Sequence, residues 1–536
     1  MTALESTATA QKRINAARER RDKQLPDKYR IPKDKLPDES VKDVTGFPEQ
    51  SGLMSSKSLE ITNASALEIL NKIQGKEWTS EEVTEAFCQR AAYAQQLTNC
   101  LSEMFFDKAI ERAKELDDYL AKNGKPIGPL HGLPISIKDN HHIVGTYAAV
   151  GLSKFTDKES TTYSALVSQL LDLGAVIYCK TTVPPAMKSG VTESALFGLT
   201  VNPKNRDHTV GGSSGGESAL ISFKGAPIGI GSDIGGSIRI PCTVTGLYGL
   251  RGTTLRFPYG GTNPGVPGIV HLKSVIGPMA RDLQSVEFLC KVVYDHHPEH
   301  YDNTCVPLPF REPSVSKKLK FGVILDDGVC KPTPPVARAL DETVKALKSA
   351  GHEVVEWKPV RADKIGEATL TYMFSDGGRG LLDALDGDQL IKAQDFLSNG
   401  PPAPDLPSSQ MQKLATEVQA IQNETFEQWK KAGFDGVIAP VLPVAAHPHY
   451  DPNYYGYTGY WNVHDYPSCS FPVTVADKGD EKVDYATRNK SEEEVWKHYD
   501  LEKYEGGDVG LQIVCHRYED EKALALAGVI RDALSK

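Results

Sequence analysis

A glycine- and serine-rich stretch, Gly211 to Pro241, constrains the fold and chemistry of this chain more than any other segment. It reads GGSSGGESALISFKGAPIGIGSDIGGSIRIP and places two serines, Ser213 and Ser237, each directly after a glycine pair. The residues between them predict a short helix followed by an apolar strand. Glycine allows turns that a Cβ would block and lets backbone N–H groups approach a ligand closely. A serine in such a turn is suited to act as a nucleophile beside an oxyanion hole.

The same stretch is open to other interpretations. A glycine-rich loop without chemistry is the ordinary case, but here two such loops flank one helix–strand unit. Phosphate binding at a helix N-terminus would need the pattern G-x-x-x-x-G-K-[ST], which is absent from the sequence. Residues 211–215 match the G-x-S-x-G elbow of α/β-hydrolases. The segment before them, NPKNRDHTV, is polar and contains a proline, so it does not predict the strand that this elbow requires.

The stretch and its surroundings resemble the amidase-signature family of hydrolases. The matching segments are GLPISIKDN, TTVPPAM, GGSSGG, DIGGSIRIP, GLYGLRGT, GPMARD and VGLQIVCHRYEDEKAL. The resemblance runs from about residue 60 to the end of the chain. It implies a catalytic set of Lys138, of Ser213 following a cis peptide bond, and of Ser237 as the nucleophile.

The resemblance also implies how the substrate is held. It places the oxyanion against the backbone N–H groups of Ile234, Gly235, Gly236 and Ser237, and it places Met187 at the acyl site. A methionine is more often core filler than a binding residue, and that alternative stays open for Met187. The segment between residues 370 and 470 matches the family least, and we expect it to line the acyl pocket.

Lys138 follows the short apolar segment PISI, which predicts a buried strand. Without the resemblance, a lysine with its ammonium at the surface would be the simpler interpretation. A lysine that acts as a base must be neutral near neutral pH. This requires its pKa to fall by about 3 units, which corresponds to about 4 kcal/mol and which burial can supply. Two charged residues near Ser237, Asp233 and Arg239, predict an ion pair that holds the loop.

The order of elements predicts an α/β fold. Residues 319–357 contain the strand LKFGVILDDG, the helix TPPVARALDETVKALKSAG and the strand HEVVEW, and residues 164–180 repeat the helix–strand part of this pattern. Such units predict a parallel or mixed sheet with helices on both faces. The resemblance implies one large domain with a mixed, twisted sheet. We expect a helical and irregular arm over residues 1–56 and the amidase-signature domain over residues 57–536, with its signature core at about 125–285.

Composition excludes several classes of function. A net charge of −10 argues against non-specific nucleic-acid binding, which needs a basic surface. The nine cysteines are an odd number without a C-x-x-C pair, so we expect buried free thiols and no structural zinc site. No run of about 18 apolar residues and no signal-peptide core occurs in the sequence, which favours a cytoplasmic protein without a membrane partner. No metal or cofactor is expected, and a homodimer is expected by analogy only.

Within the family, residues 460–467, reading YWNVHDYP, most resemble the acetamidases of fungi. The sequence therefore predicts an amidase that converts small carboxamides to the carboxylic acid and ammonia. Two alternatives within the family are a hydrolase of carbamate esters such as urethane and an amidase subunit that supplies ammonia to a partner. A non-catalytic protein with the same fold is a third, against which the presence of Lys138, Ser213 and Ser237 argues.

Overall fold

Short apolar segments of the chain form most strands of the main sheet, seen here in a computed structural model that describes residues 6–399 and 401–536. β2 shows why: its sequence PISIK is buried at every position, as expected of a strand covered on both faces. The strands are β1 (Leu101–Met104), β2 (Pro134–Lys138), β3 (Val176–Thr181), β4 (Glu193–Ser194), β5 (Gly198–Leu199), β6 (Val201–Asn202), β7 (Asn205–Thr209), β8 (Ile228–Asp233), β9 (Tyr248–Arg251), β10 (Val275–Ala280), β11 (Lys320–Val323), β12 (Glu353–Glu356), β13 (Gly436–Pro440), β14 (Ser468–Val475) and β15 (Asp508–Val514).

Most strands join one mixed sheet. Over the described residues it has eleven strands in the order β1-β3-β2-β8-β10-β9-β14-β15-β13-β11-β12. β2 runs parallel to β3 and β8, and β11 runs parallel to β12 and β13. β10 runs antiparallel to both β8 and β9, and β15 runs antiparallel to β13 and β14. The predicted mixed sheet is confirmed.

Helices cover both faces of this sheet. Successive side chains of a strand point to opposite faces, and β2, β8, β10 and β15 are buried at every position. The helices are α1 (Ala8–Gln24), α2 (Phe47–Gln50), α3 (Ser56–Asn63), α4 (Ala66–Gln74), α5 (Ser80–Thr98), α6 (Phe106–Asn123), α7 (Ala165–Asp172), α8 (Gly215–Ser222), α9 (Arg239–Thr245), α10 (Leu283–Asp295), α11 (Pro334–Ser349), α12 (Ala362–Met373), α13 (Arg379–Leu385), α14 (Ser408–Ala432), α15 (Gly456–His464), α16 (Lys490–His498), α17 (Leu501–Tyr504) and α18 (Asp520–Leu534). The single α/β domain is confirmed.

One local prediction is wrong. The segment before Gly211, expected to be irregular, contains β7, which pairs with β6 in a two-stranded ribbon outside the main sheet. Its polar residues are compatible with a strand because the ribbon is only partly buried: Asn205 and Arg206 are half-buried and Asp207 is exposed. Polarity excludes a central strand but not a ribbon near the surface.

The N-terminal segment lies against the body through α1. Ala10, Ile14 and Ala17 form the buried face of this helix. From the same helix, the Arg18 guanidinium donates hydrogen bonds to the backbone carbonyls of Leu196 and Ala195. A domain boundary at residue 56 stays a prediction.

Two predictions about the remainder of the chain can be compared with the structure. All nine cysteines are free and buried, as predicted. Among the described residues, no helix has both the length and the apolar character needed to cross a membrane.

Candidate active site

Lys138 ends β2 and is fully buried at the centre of the site. Its ammonium Nζ donates hydrogen bonds to Ser213 Oγ and to Ser232 Oγ, each at 2.8 Å. Because β2 is apolar and lies inside the sheet, its last side chain reaches these two hydroxyls without contact with bulk water. The structure therefore brings together Lys138 and Ser213, which are 75 residues apart in the sequence.

The surroundings of Lys138 favour its neutral form. Burial lowers the pKa of the amine from 10.5 to about 7, and the negative charges of Asp233 and Glu217 oppose this shift. A buried ammonium loses its hydration, so the charged form is disfavoured. Near neutral pH the amine is thus able to accept a proton, in agreement with the requirement deduced from the sequence.

Ser213 lies in the turn that leads into α8. The peptide bond between Gly212 and Ser213 is cis, as the family resemblance implied. Gly211 has a φ of +74°, and a Cβ on Gly212 would lie 2.6 Å from the carbonyl oxygen of Ser189. Both glycines are therefore required by the path of the backbone, which holds the Ser213 hydroxyl against Lys138.

Ser237 lies between β8 and α9, and it is the more accessible of the two predicted catalytic serines. Its exposed fraction is 9 %, against 1 % for Ser213, and it lines a large cavity. The two serine loops are joined because the backbone N–H of Ser214 donates to the carbonyl oxygen of Ser237 at 3.2 Å. Gly236, with a φ of +127°, sits where a Cβ would collide with the side chains of Ile240 and Thr458.

Unpaired backbone donors surround Ser237. Among the described residues, the N–H groups of Ile234, Gly235 and Ser237 have no hydrogen-bond partner, and all three residues line the cavity. Ile234 and Gly235 are half-buried and Ser237 is buried, so these free N–H groups are available to an acceptor bound in the cavity. The N–H of Gly236 differs, because it donates to the Asp233 carboxylate at 2.8 Å.

The Asp233–Arg239 pair holds this turn, as predicted. The two side chains are fully buried and meet through two hydrogen bonds of 3.0 and 3.1 Å. Asp233 also accepts hydrogen bonds from the N–H groups of Gly236 and Ile238, and from the Asn462 amide at 2.8 Å. Burial alone would raise the pKa of the Asp233 carboxyl, but the Arg239 charge and these hydrogen bonds hold that pKa well below its usual value.

Several residues of the site were missed in the sequence. Ser232, the second partner of Lys138, stands five positions before Ser237 in the segment that carries the resemblance, so its position could have drawn attention. Asn462 lies in the segment used for the acetamidase resemblance, but nothing there indicates contact with Asp233. Glu217 accepts hydrogen bonds from Ser136 and Thr181 at 2.6 and 2.9 Å, and burial raises the pKa of its carboxyl to about 8.

The cavity beside Ser237 has a volume of about 640 Å³. Met187 lines it, and the Met187 sulfur lies 4.0 Å from Ser232 Oγ. As expected, much of the wall comes from the segment between residues 370 and 470. The larger apolar and aromatic residues of the lining, prolines aside, are Met187, Val191, Ile234, Ile240, Leu370, Met373, Phe374, Phe396, Tyr450 and Tyr455.

One group of potential metal ligands is found among the described residues. It consists of His297, Glu299 and His300, which are not part of the cavity lining. The groups that line the cavity include serine hydroxyls, backbone N–H groups, the amines of Lys188 and Lys392 and the carboxylates of Asp395 and Asp451.

Comparisons with known proteins find similarity over nearly the whole chain. The family model for amidases matches residues 82–524. An acetamidase of Emericella nidulans is 38 % identical over 533 residues, which cover 94 % of each chain. An acetamidase of Aspergillus oryzae is 36 % identical and covers 95 % of this chain and 96 % of its own. Among solved structures, a fatty acid amide hydrolase superposes with a TM-score of 0.94 at 30 % identity, covering 99 % of this chain and 97 % of its own.

Proposed function

Because this chain belongs to the amidase signature family of amide-hydrolysing enzymes, we propose that it converts carboxamides to the carboxylic acid and ammonia through an acyl-enzyme on Ser237. The observation that carries the proposal is the contact of Lys138 Nζ with Ser213 Oγ at 2.8 Å, inside a site that favours the neutral amine. A serine hydroxyl is a weak nucleophile and needs such a base.

In the first half of the proposed reaction, Ser237 Oγ attacks the amide carbonyl carbon while its proton passes to Ser213. The Ser213 hydroxyl gives its own proton to Lys138. The carbonyl oxygen becomes an oxyanion, which the unpaired N–H groups of Ile234, Gly235 and Ser237 stabilise. The proton then returns through Ser213 to the amide nitrogen, the C–N bond breaks, and ammonia leaves.

In the second half, water attacks the ester carbon of acyl-Ser237. Lys138 and Ser213 accept the water proton and then protonate Ser237 Oγ as the acid is released. In this proposal Gly236 shapes the turn, because its N–H already donates to Asp233. One oxyanion donor accounts for about 10²–10³ in rate in other hydrolases.

The proposed substrates are carboxamides, from acetamide-like compounds to those with a longer apolar acyl group. The acetamidase relatives support the small end of this range. The cavity volume and the apolar lining support the larger end, since pockets of about 300–1,000 Å³ hold drug-sized ligands. The Met187 side chain, in contact with Ser232, would lie beside the acyl group. A cytoplasmic location and a homodimer stay predictions.

The experiment is ammonia release by the purified chain from acetamide, hexanamide, benzamide, ethyl carbamate and glutamine. We expect turnover of the simple amides and its loss, by at least about 10³-fold, in Ser237→Ala. Cys242→Ala is the control, because Cys242 is a buried thiol only five residues from Ser237 and should be dispensable.

The other outcomes separate the alternatives. Faster turnover of ethyl carbamate than of any amide would assign the enzyme to carbamate esters. Ammonia release only after addition of a partner protein would indicate an amidotransferase subunit. Equal activity in Ser237→Ala and the parent would exclude Ser237 as the nucleophile.

A further inference from the structure

An unusual backbone turn places Lys188 at the wall of the cavity. Ala186 and Met187 have φ values of +49° and +59°, which few residues other than glycine adopt. The turn is closed by the N–H of Lys188, which donates to the Pro185 carbonyl oxygen at 3.1 Å. The next residue after Met187 therefore faces the same cavity as Ser237, and both Met187 and Lys188 line it.

The Lys188 ammonium has no partner among the described residues. The residue is 7 % exposed, and within residues 6–399 and 401–536 its side chain makes no ion pair or hydrogen bond. Asp376 is the acidic residue that interacts electrostatically with Lys188, but its carboxylate already accepts hydrogen bonds from the N–H groups of Gly378 and Gly380. Burial lowers the pKa of Lys188 to about 8.

Other buried cations among the described residues have partners, which are carboxylates or, for Lys138, two serine hydroxyls. Arg239 meets Asp233, Lys180 lies 3.7 Å from Asp139, and Arg256 contacts Glu521 at 2.7 Å. A buried charge without a partner is unfavourable, so such a charge is found chiefly in sites where a ligand supplies the opposite charge. Lys188 departs from the pattern that the protein uses elsewhere, and it does so at the wall of the cavity.

The remaining charges of the cavity lie further out. Lys392 and Asp395 are exposed and Asp451 is half-buried. Lys392 lies over the Tyr450 ring, with its Nζ 4.3 Å from the ring centre. The inner part of the cavity thus presents one cation in an apolar wall.

We propose that Lys188 is a specificity-determining residue that binds a carboxylate on the substrate, so that the preferred amides carry a second, anionic group separated from the amide by an apolar chain. This inference rests on the proposed amidase function and names its substrate class. A lysine ammonium binds a carboxylate through charge-assisted hydrogen bonds, and the surrounding apolar wall strengthens them by excluding water. Apolar residues of the lining would hold the chain between the two groups.

The test compares pairs of amides that differ only at the far end. One series runs from succinamate to suberamate, with a terminal carboxylate, and the other contains the neutral amides of equal carbon number. In the parent enzyme we expect at least one carboxylated amide to exceed its neutral counterpart in kcat/KM by about tenfold or more. In Lys188→Met we expect that ratio to fall by about 10–100-fold, as for loss of a hydrogen bond to a charged group.

Lys392→Met is the matched control, because it removes a cation from the exposed part of the same cavity. We expect it to change the ratio by less than about threefold, since exposed charges are screened. Neutral amides preferred at every length, an unchanged ratio in Lys188→Met, or an equal fall in Lys392→Met would each overturn the assignment of the carboxylate site to Lys188.

A binding measurement keeps this inference separate from the reaction. Calorimetric titration of adipamate and its longer homologues into Ser237→Ala should give a dissociation constant about 10–100-fold lower than into Ser237→Ala/Lys188→Met. Equal affinities would overturn the inference even if the amides are hydrolysed. If Ser237→Ala hydrolyses amides like the parent, Ser237 is not the nucleophile. The affinity of Lys188→Met for adipamate, compared with that of the parent, still decides whether Lys188 binds the carboxylate. Urea unfolding of each variant verifies the fold.

Discussion

The buried amine of Lys138 should make the protein less stable near neutral pH than it would be with an apolar residue at this position. Burial lowers the pKa of this lysine from 10.5 to about 7. In the unfolded chain the amine keeps its ordinary pKa, so between pH 7 and pH 10 the unfolded state binds more protons than the folded state. The contribution of Lys138 to the free energy of unfolding therefore rises with pH between pH 7 and pH 10. At about 1.4 kcal/mol per pKa unit, the cost of keeping Lys138 buried is about 4 kcal/mol at pH 7 and about 1 kcal/mol at pH 10.

The perturbation is Lys138→Met, which keeps most of the side-chain volume and removes the titrating group. The variant also loses the hydrogen bonds to Ser213 and Ser232, but that loss is the same at every pH in the window. The difference in free energy of unfolding, variant minus parent, should fall by about 3 kcal/mol between pH 7 and pH 10. Glu217 acts in the same direction, because loss of the lysine raises the pKa of its carboxyl further above about 8.

The assay is urea unfolding at pH 7, 8, 9 and 10, followed by tryptophan fluorescence, with refolding from urea as the check on reversibility. Lys122→Met, at an exposed lysine, supplies the baseline for removing a lysine charge. A difference between Lys138→Met and the parent that stays within about 1 kcal/mol over this range would refute the argument, because the amine would then titrate alike in both states.

Two further predictions follow from the same contacts. With hexanamide as substrate, kcat/KM of the parent should rise about tenfold between pH 6 and pH 8 and then level off, because the Lys138 amine must be neutral to act as the base and its pKa is about 7. A rise in kcat/KM that continues to pH 10 would contradict a lowered pKa of this amine. Arg239→Met should lower the free energy of unfolding by about 3–5 kcal/mol at pH 7, since it leaves the Asp233 carboxylate buried without its cation. Arg21→Met, at a half-buried arginine that is not paired with Asp233, is the comparison, and equal losses would show that the ion pair is not responsible.

Local sequence identified the three predicted catalytic residues as candidates. Lys138 ends an apolar segment, and Ser213 and Ser237 each follow two glycines, so each lies in a short motif whose backbone path depends mainly on its own residues. The resemblance to a known family then supplied their roles. The mixed sheet was predictable for a similar reason, because alternating helix and strand patterns of the chain are local features.

Other features depend on residues that are distant in sequence. Asn462 reaches Asp233 across 229 positions, and no pattern around either residue indicates that contact. The lowered pKa of Lys138 requires burial by the surrounding sheet and helices, which the lysine motif alone cannot specify. Lys188 appears in the sequence as an ordinary lysine in a loop, and only the tertiary structure shows that its side chain is largely buried at the cavity wall and has no ion pair with the described residues. The sequence by itself determined which groups are candidates to react, because their motifs are local. Tertiary structure decided their protonation and the shape and charge of the cavity, because desolvation depends on every element packed around a group.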